Sequence, residues 1–122
     1  MGSQDRQVAL VTGAAGTLGH AVAGALGARG MRLALLGRKL EQLEAAFPGA
    51  ADSGAALLVA ADLVDAAQVR AAVDQVMARV GRVDVLCNIA GAFHMGETVH
   101  ETSDRTWDFM FDVNVRSLTH MA

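Results

Sequence analysis

Gln7-Val8-Ala9-Leu10-Val11-Thr12-Gly13-Ala14-Ala15-Gly16-Thr17-Leu18-Gly19 is the stretch on which the fold turns. An apolar run, Val8 to Val11, gives way to a turn with glycines at 13, 16 and 19. Leu18, Ala21, Val22, Ala25 and Leu26 then recur at three- and four-residue spacing. The pattern predicts a strand, a tight turn and a helix. Glycines at such a junction let a ligand approach the backbone, because no Cβ intervenes. The helix start behind them offers unpaired N–H groups and a positive dipole end, which suit a pyrophosphate. The spacing G-x-G-x-x-G is not met, since Ala14 occupies its first glycine position. A P-loop is excluded by the lack of a following Lys-Ser/Thr pair. A glycine-rich turn kept only for close strand–helix packing remains the alternative.

Working outward, Gly30 is expected to close the first helix. Arg32 to Gly37 reads as a second buried strand. Lys39 to Phe47 reads as a helix with Leu40, Leu43 and Phe47 on one face, ended by Pro48-Gly49. A small-residue loop is expected over 49–54. Ala56 to Ala61 is a third strand, stopped by Asp62. Asp65 is positioned to cap a helix over 66–80, whose inner stripe is Val69, Val73, Val76 and Val80. Val83 to Ile89 is a fourth strand. A loop follows to Thr102. Ser103 then caps one continuous helix from Asp104, containing Trp107, Met110, Phe111, Val115 and Leu118.

Strands alternating with helices imply a parallel sheet with right-handed crossovers. The expected architecture is α/β, a Rossmann-type doubly wound parallel sheet with strand order 3-2-1-4 in this portion. Ligands of such sheets bind at the carboxyl ends of the strands, beside the switch between strands 1 and 4. Three polar or glycine-rich stretches fall there: Thr12 to Gly19, Asp62-Leu63, and Asn88 to Gly91.

The bulk composition narrows the function. The length of 122 residues suits one domain over 1–122. A hydrophobic content of 52% fits strands buried on both faces. The net charge of −3 gives no reason to expect nucleic acid or an anionic membrane surface as partner. The longest apolar run, Ala55 to Ala61, is too short to span a bilayer. The first residues are polar, without a signal-peptide pattern. Arg6 stands where myristoylation wants Ser or Thr. A single cysteine, Cys87, excludes an internal disulfide and fits a reducing cytoplasm.

Taken together, these motifs resemble the short-chain dehydrogenase/reductase family, classical type. Thr12, Gly13 and Gly19 match its opening Thr-Gly-x-x-x-Gly-x-Gly, with Thr17 at the middle glycine. Gly16 gives instead the Thr-Gly-x-x-Gly-x-x-Gly spacing of the extended branch. Asn88-Ile89-Ala90-Gly91 is similar to the family's Asn-Asn-Ala-Gly, with Ile89 replacing the second Asn. Asp62-Leu63 looks like its adenine-contacting pair. Ser103, Trp107-Asp108 and Val113-Asn114-Val115 resemble its fourth helix, whose Asn belongs to the catalytic tetrad. The resemblance implies NAD(P)-dependent hydride transfer between a nicotinamide and a small-molecule carbonyl or alcohol substrate. It implies cofactor contacts at Gly13, Ala15, Gly16, Thr17, Leu18, Gly19, Arg38, Asp62, Leu63, Asn88, Ala90 and Gly91, and a catalytic role for Asn114. It also implies a homo-oligomer when complete.

The family's Tyr-x-x-x-Lys motif is missing. The chain has no tyrosine, and its one lysine is Lys39. It is therefore expected to be the N-terminal portion of a longer enzyme and inactive alone. A non-catalytic nucleotide-binding or interaction module is the alternative. A methyltransferase is disfavoured by Gly37, where that class wants an acid at the end of strand 2. The same Gly37, followed by Arg38 and Lys39, favours NADP(H) over NAD(H). Asp62 binds an adenine amino group or merely ends a strand, and Asn88 braces the cofactor loop or is an ordinary turn residue. Cys87 is expected to pack. His20, His94, His100 and His120 lack metal-ligand spacing and are expected at solvated or helix-surface positions. His94 and Met95 follow strand 4, where a substrate could lie. Trp107 is expected to pack its helix onto the sheet.

Overall fold

The computed structural model describes residues 6–92, 96 and 98–122. Four parallel strands form one sheet in the order β3-β2-β1-β4. They are β1 Val8–Val11, β2 Arg32–Gly37, β3 Ala56–Ala60 and β4 Val85–Cys87. This is the Rossmann-like arrangement that the sequence pattern predicts. Helix α1 (Thr17–Ala28) connects β1 to β2. Helices α2 (Leu40–Ala46) and α3 (Ala50–Ser53) connect β2 to β3, and α4 (Ala66–Val80) connects β3 to β4.

The strands form because both of their faces are covered. Leu10, Ala34, Leu36, Val59 and Ala61 bury toward one layer, with Val69, Ala72 and Val76 of α4. Their neighbours Val11, Leu35 and Leu58 bury toward the other, with Ala23 of α1 and Leu43 of α2. The two-residue alternation of a strand thus supplies both layers from one apolar run. Val69 and Val76 are fully covered, whereas Val73 and Val80 lie at the margin of the same layer. Asp65 caps α4, accepting from the N–H groups of Ala67 and Gln68 at 2.9 and 3.3 Å.

Four local readings are corrected. The 49–54 segment contains a helical turn, α3, bracketed by Gly49 and Gly54 with φ of 72° and 76°. Strand 4 is shorter than 83–89. Before it, the Asp84 carboxylate takes the Val8 N–H at 2.8 Å while the Asp84 N–H donates to the Val8 carbonyl at 2.9 Å. After it, the N–H groups of Ile89 and Ala90 turn to the Thr12 hydroxyl instead of a strand carbonyl.

The last helix is not uniform either. It runs as α5 (Asp104–Phe111), a π-helical segment Asp112–Arg116 and α6 (Ser117–Met121). Side-chain donors compete for its ladder. Asn114 Nδ2 donates to the Met110 carbonyl at 2.9 Å, and Ser117 Oγ donates to the Val113 carbonyl at 2.5 Å. Finally, Trp107 does not pack onto the sheet. It is 42% exposed and Phe111 57%, with the two rings 6.5 Å apart. Val115 and Leu118 continue that outer stripe. Ser117 and Met121 are the buried residues of this helix instead.

Arg82 donates to both carboxylate oxygens of Asp84, at 2.8 and 2.5 Å. That guanidinium, followed by the Val8 N–H, holds the Asp84 carboxyl below its ordinary value. Among the described residues no helix is long and apolar enough to cross a membrane.

Candidate functional site

A cavity of about 440 Å³ opens at the carboxyl ends of the strands. Gly13 borders it from the turn after β1, and Gly37 and Arg38 from the end of β2. Asp62, Leu63 and Val64 border it after β3, and Ala90, Gly91 and Ala92 after β4. Phe109, Asp112, Val113 and Ser117 of the last helix form the remaining wall. The volume lies within the range of small-molecule sites.

Thr12 organises the junction of β1 and β4. It is fully buried, and its Oγ1 accepts from the N–H groups of Ile89 and Ala90, both at 3.1 Å. Its own N–H donates to the Cys87 carbonyl at 3.0 Å. Gly13, at φ +62°, follows. An added Cβ there would lie 2.9 Å from the backbone N and Cα of Ala90. Gly19 is equally constrained, because its Cβ would strike the Gly13 carbonyl oxygen and come within 2.8 Å of the Ala14 Cα. Both glycines serve close backbone packing. Gly16 differs: its Cβ would meet only the Gly13 carbonyl oxygen, at an ordinary 3.5 Å. It caps α1 without any side-chain acceptor, so the first N–H groups of that helix are open.

Asp62 is held by its own loop. Its Oδ1 accepts from the Val64 N–H at 3.1 Å, and its N–H donates to the Gln68 Oε1 at 2.9 Å. Gln68 Nε2 in turn reaches Asp65 Oδ2 at 3.3 Å. Beside it, His120 Nδ1 donates to the Leu63 carbonyl at 2.7 Å, tying α6 to this loop. His120 is half-buried on α6, a helix-surface position that also carries a structural hydrogen bond. His20 is exposed on α1, the helix-surface position expected of it, with its Nε2 3.1 Å from the Ala46 carbonyl and its ring stacked on Phe47 at 4.9 Å. Cys87 packs, as expected, in the layer with Val11 and Leu35.

Asn114 clamps the segment after β4. Its Nδ2 donates to the Ala92 carbonyl at 2.7 Å, and its Oδ1 accepts from the Ala92 N–H at 3.2 Å. The fit is tight, since a Cβ on Gly91 would lie 2.6 Å from that oxygen.

Of the residues singled out in the sequence, Gly13, Arg38, Asp62, Leu63, Ala90 and Gly91 line the cavity. Ala15, Gly16, Thr17, Leu18 and Gly19 are not among its lining residues; they lie on the turn after β1 and the first turn of α1. Asn88 is exposed and does not line it. Asn114 acts on its rim through Ala92. His94 and Met95 lie outside the described residues. Sequence reasoning missed Val64, Ala92, Phe109, Asp112 and Ser117, and named Val113 only within the last-helix motif. The signal for the helical part was available: 109, 113 and 117 recur every fourth residue and share one face.

The family profile described as "short chain dehydrogenase" matches residues 7–122. The chain belongs to the short-chain dehydrogenase/reductase family. It is 41% identical over 112 residues to D-threitol dehydrogenase of Mycolicibacterium smegmatis, covering 91% of this chain and 43% of that protein. It superposes with a TM-score of 0.86 on a metagenomic short-chain oxidoreductase in complex with NADP, at 35% identity, covering 98% of this chain and 55% of that one. The 3-ketoacyl-(acyl-carrier-protein) reductase of Brucella melitensis, complexed with NADH, also gives 0.86, at 33% identity over 94% of this chain and 46% of its own. The chain spans about half the length of these short-chain dehydrogenase/reductase relatives.

Proposed function

We propose that this chain forms the dinucleotide-binding part, one domain over 1–122, of an NAD(P)-dependent oxidoreductase acting on a small carbonyl or alcohol substrate. The observation that carries this reading is the convergence of the loops after all four strands on one cavity. A dinucleotide fits the residues present. Gly16 has no internal packing demand, and the α1 N-terminus behind it is uncapped by any side chain. Together they suit a pyrophosphate over Ala15 and Gly16, with the N–H groups of Thr17, Leu18 and Gly19 as donors. The Asp62 carboxylate keeps its second oxygen for an adenine amino group, beside Leu63. Ala90 and Gly91 offer bare backbone where the dinucleotide crosses β4, and Asn88 continues the same loop outward.

When bound, the cofactor supplies the carbon that gives or takes hydride. The chain's own residues orient it. Asn114 acts through structure, because both N–H bonds of its amide are directed at backbone carbonyls. It fixes Ala92 and so the rim of the site. Proton transfer needs a titratable group near the substrate oxygen, and the 122 residues contain no tyrosine. They are expected to bind nucleotide without turnover. A non-catalytic nucleotide-binding module would use the same cavity in the same way. The complete enzyme is expected to be homo-oligomeric and cytoplasmic.

NADP(H) is favoured over NAD(H). Arg38 lines the cavity and has no ion-pair partner among the described residues. A 2′-phosphate there would gain a charge-assisted pair of about 1.5–3 kcal/mol, or roughly ten- to a hundredfold in affinity. Titrating NADP(H) and NAD(H) against the full-length protein tests both claims. Binding of neither cofactor would refute the dinucleotide reading. Equal or tighter NAD(H) binding, unchanged in Arg38→Ala, would refute the preference.

A further inference from the structure

Phe109 stands out on the cavity wall. It is 46% exposed and has no ring partner among the described residues, unlike the Trp107–Phe111 and His20–Phe47 pairs. It lies on the cavity-facing side of its helix with Val113 and Ser117, opposite the outer stripe of Trp107, Phe111, Val115 and Leu118. An aromatic face left open on the wall of a site, rather than on the outer stripe, is available to a planar ligand. His120 fixes this wall relative to the opposing loop through its 2.7 Å hydrogen bond to the Leu63 carbonyl.

We propose that Phe109 is a binding residue for the purine end of the cofactor, its ring packing against the adenine base. The inference rests on the dinucleotide reading above and deepens it. The base would lie between Leu63 and Val64 on one side and Phe109 and Val113 on the other. Its amino group would face Asp62, which sits on the loop that carries Leu63 and Val64. Phe109 thus contributes apolar contact and a π-face, where the glycine-rich turn contributes only backbone donors. An aromatic ring serves this purpose because every purine has a π-face to match.

The experiment compares the full-length protein with its Phe109→Ala, Phe109→Leu and Phe109→Tyr variants. Three probes are titrated by fluorescence or calorimetry: NADPH, adenosine 2′,5′-bisphosphate and reduced nicotinamide mononucleotide. Phe109→Ala should weaken NADPH and adenosine 2′,5′-bisphosphate alike, by about five- to tenfold, the lower end expected for a half-exposed stacking partner. It should leave the mononucleotide unchanged. Phe109→Tyr should bind all three within about twofold of the parent, and Phe109→Leu, which keeps apolar bulk but loses the ring, should fall between. Should Phe109→Ala fail to fold, the Leu and Tyr variants carry the same comparison. The proposal is overturned if the adenine-bearing probes are unaffected, or if the mononucleotide weakens in parallel with them. A parent protein that binds no dinucleotide would overturn the cofactor reading as well. A parent that binds it with no effect at Phe109 overturns this inference alone.

Discussion

Replacing Gly91 by alanine should unseat Asn114. Gly91 is not among the glycines with positive φ, so alanine meets no backbone strain there. The effect comes from contact: the new Cβ would lie 2.6 Å from Asn114 Oδ1. That oxygen cannot retreat freely. It accepts from the Ala92 N–H at 3.2 Å, and its amide nitrogen is held by the Ala92 and Met110 carbonyls at 2.7 and 2.9 Å. Moving the amide loosens two or three hydrogen bonds, each contributing about 0.5–1.5 kcal/mol. Alanine in place of glycine returns about 0.4–1 kcal/mol by restricting the unfolded chain. The net destabilisation should be about 1–2 kcal/mol. The decisive assay is a double-mutant cycle with Asn114→Ala, read by urea denaturation. In the Asn114→Ala background nothing obstructs the new Cβ. There, Gly91→Ala should be neutral or slightly stabilising, a coupling of about 1–2 kcal/mol. If Gly91→Ala costs as much without Asn114 as with it, the clash is not the cause and the clamp is misread.

Thr12→Val should orphan the N–H groups of Ile89 and Ala90 and lower stability by about 2–4 kcal/mol, while Thr12→Ser should keep most of it. Denaturant midpoints and hydrogen exchange at those two amides check this. Asp84 has a folded pKa depressed below its unfolded value. Its contribution is therefore present above the unfolded value and lost as pH falls through the folded one. Asp84→Asn should accordingly flatten the fall of stability below about pH 4, measured by denaturation across pH. Asp65→Ala should cost about 1 kcal/mol by removing the α4 cap. It should also release Gln68 and so weaken binding of adenine-bearing ligands, checked by melting and ligand titration.

The sheet was legible because its strands are apolar on both faces and its glycine and aspartate boundaries are local. Val8 to Val11 could hardly be anything else, and the order 3-2-1-4 follows from crossover rules. Positions such as Arg38, Asp62 and Gly91 were legible because each immediately follows a strand. What was hidden depends on partners distant in the chain. The fourth strand is cut short by Val8 and Thr12, more than seventy residues away. The π-helical segment arises where Asn114 and Ser117 side chains compete with the backbone, which periodicity does not register. Trp107 misled because a large aromatic on a helix suggests burial, while the buried positions belong to Ser117 and Met121.

The segment between β4 and the cavity is gripped at two places. Thr12 takes the N–H groups of Ile89 and Ala90, and Asn114 takes both polar groups of Ala92. Only Gly91 lies between the grips. Consecutive Cα atoms are about 3.8 Å apart, so one inserted or deleted residue would carry a partner beyond hydrogen-bond reach. Position 89 engages Thr12 through its backbone, so the isoleucine side chain takes no part in this grip. What natural variation must preserve here is a count of residues. The Ile89 side chain answers to a separate demand, the layer of Val11 and Leu35 against which it packs, while the spacing of the two anchors is set by backbone alone.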